Sequence, residues 1–278
     1  MTDQPPITTP AAPYSYKTIA DIEDQHWIRA LLFAPPKAGK TGLLLTFPEP
    51  AIADFDGGGV KVAKSPWFRT NHPRQLEPGV IRFQEFANER DQYGVVSTHN
   101  AFFDSIAWIN QVIKDDSRKT VGLDSLTMLS RVALEAALPV LNRRGRSKSW
   151  SHAATDHMLL LAMQDFGGEM SAVEQLLDQL QKIKNKHVIV TAHERQETTD
   201  SGAIMRRSPL VTGDRLRARI AHWFDEVWYL DVDASGKRIL RCQPYGVLHG
   251  VGSRLGLPAV IEDPSYEKIM RTLEGGKL

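Results

Sequence analysis

LLFAPPKAGKT, residues 31–41, is the stretch that decides the fold. Its spacing matches a phosphate-binding loop, G-x-x-x-x-G-K-S/T, except that Ala34 stands where the first glycine belongs. It closes WIRALLFA (27–34), an apolar run that reads as a buried strand. It precedes GLLLTF (42–47), which begins a short helix stopped by Pro48 and Pro50. Strand, loop, helix is the context the motif needs. Backbone N–H groups of residues 36–41 can wrap phosphate oxygens, and the helix N-terminus adds a partial positive charge. Lys40 is placed to reach β- and γ-phosphates, and Thr41 to hold Mg²⁺ through its hydroxyl. Pro35, Pro36, Lys37, Ala38, Gly39 and Gly42 complete the expected nucleotide-binding set. An alanine at position 34 costs little where φ is negative. It therefore bears on the entry geometry of the loop and not on the phosphate contacts. The competing reading is a proline-rich turn before a helix.

Such a loop needs an acid at the end of a neighbouring strand, to hold the water shell of the metal. TVGLDS (120–125) supplies Asp124 after a β-branched and apolar run. An aspartate there can also be a turn residue, but two motifs in order make coincidence a poor account. AIADFD (51–56) reads as another strand, ended by Gly57, Gly58 and Gly59. Alternation along it would put Asp54 and Asp56 on one side. Hydrolysis requires a carboxylate to orient or deprotonate the attacking water. Asp56, nearer the loop, is the candidate; a polar strand end before a glycine turn is the alternative.

Further out, residues 60–78 read as loop and GVIRFQEF (79–86) as a short strand. AFFDSIAWINQVI (101–113) has apolar residues at helical spacing, and LTMLSRVALEAAL (126–138) is a helix stopped by Pro139. SAVEQLLDQLQKIKN (171–185) is an amphipathic helix and KHVIVTAHE (186–194) a buried strand. Residues 195–212 form a polar excursion or hairpin, followed by a helix over 214–224. Residues 225–244 form a hairpin turning at Ala234-Ser235-Gly236, and 265–274 the last helix. Strands alternating with helices predict an α/β fold with a mostly parallel sheet. The closing hairpin adds antiparallel strands at one edge. There is no internal repeat and no sign of a second domain. A Pro- and Thr-rich flexible tail over 1–16 leads into a single domain over 17–278.

The chain has 278 residues and a formal net charge of +1, so a nucleic-acid partner would need locally concentrated charge. RRGRSK (143–148), MRR (205–207) and RLRAR (215–219) are the places to look; each alone reads more simply as a solvated face. The N-terminus has neither the basic start nor the apolar stretch of a signal peptide, and no apolar run is long enough for a membrane span. Cys242 is the single cysteine, so no intrachain disulfide can form, which fits a reducing cytoplasm. His152 and His157 do not share a helical face and no cysteine cluster exists, so no zinc is expected. No G-x-S-x-G elbow points to a serine nucleophile. Met158, Leu159, Leu160, Leu161 and Met163 read as core or a subunit contact.

The succession APPKAGKT, ADFDGG, VGLDSLT, QDFGGEM and VIVTAHE resembles the phage-encoded nucleotide-binding proteins of the RecA-like ATPase class. These include the phage single-strand annealing proteins of DNA recombination. The resemblance spans roughly residues 27–260 and implies a RecA-like core with ATP hydrolysis coupled to single-stranded DNA. By this likeness Lys40 and Thr41 serve phosphate and Mg²⁺, and Asp124 is the second acid on the metal side, acting through water. Asp56 matches the RecA-class catalytic glutamate but is one methylene shorter. His193 matches a strand-end γ-phosphate sensor leading into a DNA-contacting loop; read without the likeness, it is a strand-end histidine satisfied by a neighbour. The two DNA loops would hold Arg143, Arg144, Arg146 and Lys148, with Trp150, and then Arg195, Arg206 and Arg207. Cationic side chains neutralise phosphates and an aromatic can stack on bases, though Trp150 can equally pack on the domain. RecA-class sites lie between subunits of a ring or filament, and Arg254 is the expected in-trans residue, with Lys237 and Arg238 as rivals. The implied setting is a phage protein in its bacterial host's cytoplasm, with a single-strand-binding protein as a further partner.

Three functions fit this pattern. One is a DNA-dependent ATPase that promotes annealing or strand exchange. The second is an ATP-gated scaffold or loader that recruits a replication protein and hydrolyses slowly, as the shorter Asp56 suggests. The third is a small-molecule kinase with 143–148 as its lid, which TAHE and the closing hairpin do not suit.

Overall fold

A computed structural model describes residues 27–92, 96–140 and 165–275. The tail, the 143–148 cluster with Trp150, the two histidines at 152 and 157, and the apolar run at 158–163 lie outside the described residues. Strand β1 (Arg29–Ala34) leads through the loop into α1 (Lys40–Leu44). β2 (Pro50–Asp54), α2 (Gly59–Ala63), α3 (Pro66–Asn71) and β3 (Arg82–Glu85) follow. Next come α4 (Ala101–Lys114), β4 (Thr120–Asp124), α5 (Leu126–Val140) and α6 (Asp165–Gln181). β5 (His187–Thr198), β6 (Ile204–Pro209) and α7 (Asp214–Arg219) precede β7 (Glu226–Val232) and β8 (Arg238–Arg241). β9 (Gly252–Ser253), β10 (Val260–Glu262) and α8 (Tyr266–Leu273) close the chain.

One sheet runs in the order β10-β8-β7-β1-β5-β4-β2-β3. All pairs from β7 to β3 are parallel. The hairpin β7–β8 and the strand β10 beside it add an antiparallel edge. The fold is therefore the expected α/β P-loop NTPase arrangement, a mostly parallel sheet flanked by helices. β1, β2 and β4 are almost wholly apolar because both faces of the sheet are covered. Leu31 and Phe33 join a core cluster with Leu129 and Leu177, under α5 and α6. Leu32 and Ala34 point the other way, to Leu44, Trp228 and Ile269.

Several expected boundaries shift. The helix after the loop is Lys40–Leu44, earlier and shorter than 42–47. Residues 60–78, expected as loop, hold α2, α3 and a 3-10 turn at Pro73–Leu76. The start of α3 has a physical signal: Ser65 Oγ accepts the Phe68 N–H, and Pro66 occupies the first helical position. α5 passes Pro139, and the helix is still in place at Val140, the last residue described before Asp165. α6 is already helical at Asp165, the next described residue, and ends at Gln181, so it is under way before 171 and stops short of 185. The helix expected over 214–224 ends at Arg219 and continues as a 3-10 turn, Ile220–Trp223. β5 does not stop at Glu194. It runs on to Thr198 and pairs antiparallel with β6, which makes the 195–212 excursion a hairpin.

Candidate functional site

The carboxyl ends of β1 and β4 and the middle of β5, with the turn after β2, converge on the phosphate loop. Register does much of this: Ala34 lies opposite His193, Leu123 opposite Val190, and Asp54 opposite Asp124. Gly39 takes a left-handed conformation, φ 107°, just before α1 begins. Lys37 is also left-handed, φ 65°. The 6% exposed Lys40 ammonium donates to the carbonyls of Ala34 and Pro35, at 3.1 Å each. Burial lowers its pKa, partly offset by the charges of Asp124, Asp56 and Glu194.

Asp124 is buried and doubly bonded. Thr41 Oγ1 donates to Oδ2 at 2.6 Å, and Thr191 Oγ1 to Oδ1 at 2.5 Å. Burial raises its pKa despite these two bonds. Thr191 was not anticipated; it reaches Asp124 because β5 lies between the loop strand and β4.

Asp54 and Asp56 have separate roles. β2 ends at Asp54, so alternation stops before Asp56. Buried Asp54 accepts the N–H groups of Asp56 and Gly57 on Oδ1, at 3.0 and 2.8 Å, and that of Gly59 on Oδ2 at 2.8 Å. It builds the turn. Asp56 instead meets the site: Ser125 Oγ donates to Oδ1 at 2.9 Å, and His193 Nε2 stands 3.1 Å from Oδ2. Burial would raise the Asp56 carboxyl, but the bonds from His193 and Ser125 outweigh it and lower its pKa, with help from Lys40. The His193 backbone is fixed as well, its N–H donating to Thr127 Oγ1 at 2.9 Å.

The oxygen donors suit Mg²⁺. Thr41 and Asp124 offer one hydroxyl and one carboxylate, hard ligands that leave positions for water and phosphate. Among the described residues no group of three His, Cys, Asp or Glu side chains could hold a metal without such help.

The remaining expected residues lie elsewhere. Arg195 and Arg206, on the β5–β6 hairpin, line a cavity of about 280 Å³ with Glu197 and Arg217. Arg207 turns inward: Nη1 donates to Tyr229 Oη at 2.5 Å and to Glu194 Oε2 at 3.2 Å. Tyr229 Oη donates to the same carboxylate at 2.6 Å, so this trio fastens the hairpin to β7. Arg254 is 70% exposed and donates to Asp225 Oδ1 at 3.1 Å. Asp225 also binds Arg29, the first residue of β1. Arg254 therefore sits at the opposite end of β1 from the loop and does not serve its own subunit's site. Arg238, its rival in the sequence, packs directly against Gly39. No helix among the described residues is long and apolar enough to cross a membrane.

No curated protein matches the chain. A solved structure similar to it is an ATPase from the type III secretion system of pathogenic bacteria, at 13% identity and a TM-score of 0.41. The similarity covers 73% of this chain and 52% of that one, so the chain spans about half that protein's length. The AAA domain family matches residues 26–250, across the loop, the acids, the β5 strand end and the closing hairpin. The chain belongs to the AAA domain family.

Proposed function

We propose that this chain is a Mg²⁺-dependent ATPase that binds single-stranded DNA and promotes annealing or strand exchange in phage recombination. The observation that carries the hydrolytic part is the Asp56 carboxylate. It is held by Ser125 and His193 beside a loop whose Thr41 already bonds Asp124. When bound, Mg²⁺ would offset the negative charge of the phosphate oxygens. Thr41 and Asp124 would hold that ion. Lys40 would exchange the carbonyls of Ala34 and Pro35 for phosphate oxygens. The lowered pKa keeps Asp56 ionised, able to orient water or take its proton. His193, bonded to it, would sense the phosphate that leaves.

The DNA part is supported by the hairpin. Arg195 and Arg206 line a hollow with Arg217 and with Glu197, which pairs with Arg217 at 3.8 Å; three guanidinium groups against one carboxylate leave a net positive charge that suits phosphates. Arg207 would act by holding the hairpin. Arg143, Arg144, Arg146 and Lys148 belong to the proposal as a second basic loop. Exposed Arg254 is the proposed contribution to a neighbour's site in a ring or filament. In this reading the protein works in the bacterial host's cytoplasm, alongside a single-strand-binding protein.

The test is ATP hydrolysis with and without single-stranded DNA, alongside Lys40→Ala. Stimulation by DNA that Lys40→Ala abolishes is the expected result. Hydrolysis indifferent to DNA, with no salt-sensitive DNA affinity, would sink this reading. It would favour the ATP-gated loader, which the engagement of the short Asp56 by two side chains also suits.

A further inference from the structure

The phosphate loop has two sides. Thr41 turns its hydroxyl toward Asp124, the side on which Asp56 and His193 meet. Gly39 faces β8. A β-carbon on Gly39 would stand 2.5 Å from Arg238 Nε and 3.3 Å from its Cζ. The Arg238 guanidinium lies over the Trp67 ring, 4.0 Å from the centroid. Trp67 in turn covers the first turn of α1, where a β-carbon on Gly42 would be 3.6 Å from its ring. Beyond this pair opens a cleft of about 890 Å³, lined also by His72, Arg74, Lys237 and Tyr266. Its volume suits a small-molecule ligand.

A triphosphate in this loop has two ends. The γ end belongs beside Asp56 and His193, where water attacks. The nucleoside end then leaves past Gly39 and Gly42, toward β8. On that side stand an indole ring left 42% exposed and a guanidinium stacked on it. Both groups stack on nucleic bases. Resting on the nucleotide reading above, we infer that this cleft takes the base and ribose of the bound nucleoside triphosphate, with the base packed against the Trp67–Arg238 pair.

The test compares Mg-ATP with Mg-tripolyphosphate, which has the phosphates and no nucleoside, by calorimetric titration of the full chain. The proteins are wild type, Arg238→Ala, Trp67→Ala, Trp67→Phe and Lys40→Ala. Wild type should bind ATP at least about tenfold more tightly than tripolyphosphate. Arg238→Ala and Trp67→Ala should each remove roughly tenfold of ATP affinity and leave tripolyphosphate within about twofold. Trp67→Phe, which keeps a ring and is the safer fold, should retain most of the ATP affinity. Equal losses for both ligands would make Arg238 a phosphate contact and overturn the inference, as would no loss in either. In both of those cases Lys40→Ala still weakens both ligands, so the loop reading stands. If wild type binds neither ligand, the loop reading falls and this inference with it.

Discussion

His193 Nε2 stands 3.1 Å from Asp56 Oδ2, joining the middle of β5 to the turn after β2. A positioned base contributes about 10²–10⁴ in rate. Asp56→Asn should lower kcat by about 100-fold or more, with ATP affinity changed only a few-fold. His193→Ala should cost less, and little further in the Asp56→Asn background, because groups acting as a unit are not additive. Single-turnover hydrolysis decides this. Fully additive losses would mean that the two groups work independently.

Glu169 on α6 is fully buried, and among the described residues no hydrogen bond of ordinary geometry reaches either carboxylate oxygen, the Ser130 hydroxyl standing close by. Burial raises its pKa from 4.5 to about 7, slightly offset by Ser130. The folded state thus holds the proton more tightly than the unfolded one. Its contribution is intact below about pH 4.5 and is lost as pH rises through about 7. Glu169→Gln should therefore be near neutral in acid and stabilising at pH 8, by up to about 3 kcal/mol. Urea midpoints at pH 5 and pH 8 check this; an equal effect at both would refute it.

Thr191→Val keeps the shape of the side chain and removes the donor to Asp124 Oδ1. A buried acceptor left unpaired costs about 1–3 kcal/mol. The variant should melt several degrees lower and bind Mg-ATP more weakly. An unchanged melting temperature would show that Asp124 finds another donor.

Gly39→Ala meets two obstacles, a left-handed φ and the Arg238 side chain. The left-handed backbone alone costs an alanine about 1–2 kcal/mol. The substitution should cost more than that in wild type and less in the Arg238→Ala background, where only the backbone penalty remains. Equal costs in thermal melts of the two backgrounds would place the guanidinium elsewhere.

Arg206 and Arg207 are neighbours with different work. Arg206→Ala should weaken single-stranded DNA binding and flatten its salt dependence by about one contact, with the melting temperature unchanged. Arg207→Ala should lower the melting temperature, because Glu194 and Tyr229 lose their partner. If both variants melt like wild type, the hairpin does not depend on that trio.

Much of this was legible in the sequence. β1, β2, β4 and β5 read as strands because both their faces are covered, which leaves unbroken apolar runs. Asp124 was legible because it ends such a run. Asp54 was not, since alternation says nothing once a strand ends and the chain turns. α2 and α3 escaped because helices of five and six residues show almost no periodicity; only Ser65 and Pro66 mark one. Thr191 meets Asp124 through a strand order that sequence does not display. Arg238 comes from a distant hairpin, and no local pattern ties it to Gly39.

β5 runs unbroken from His187 to Thr198, with no glycine or proline along its length. Its first half is clamped in the sheet and its second half stands out in the hairpin. The sheet holds it as far as His193, opposite Ala34, so the arm that stands out begins at Glu194. From His193 to Thr198 is about 17 Å at the usual rise per residue. A tilt of roughly five degrees at His193 would swing the far end by about 1.5 Å. The histidine thus stands at the root of the arm and Arg195 two residues along it, so one continuous strand joins the two without any hinge.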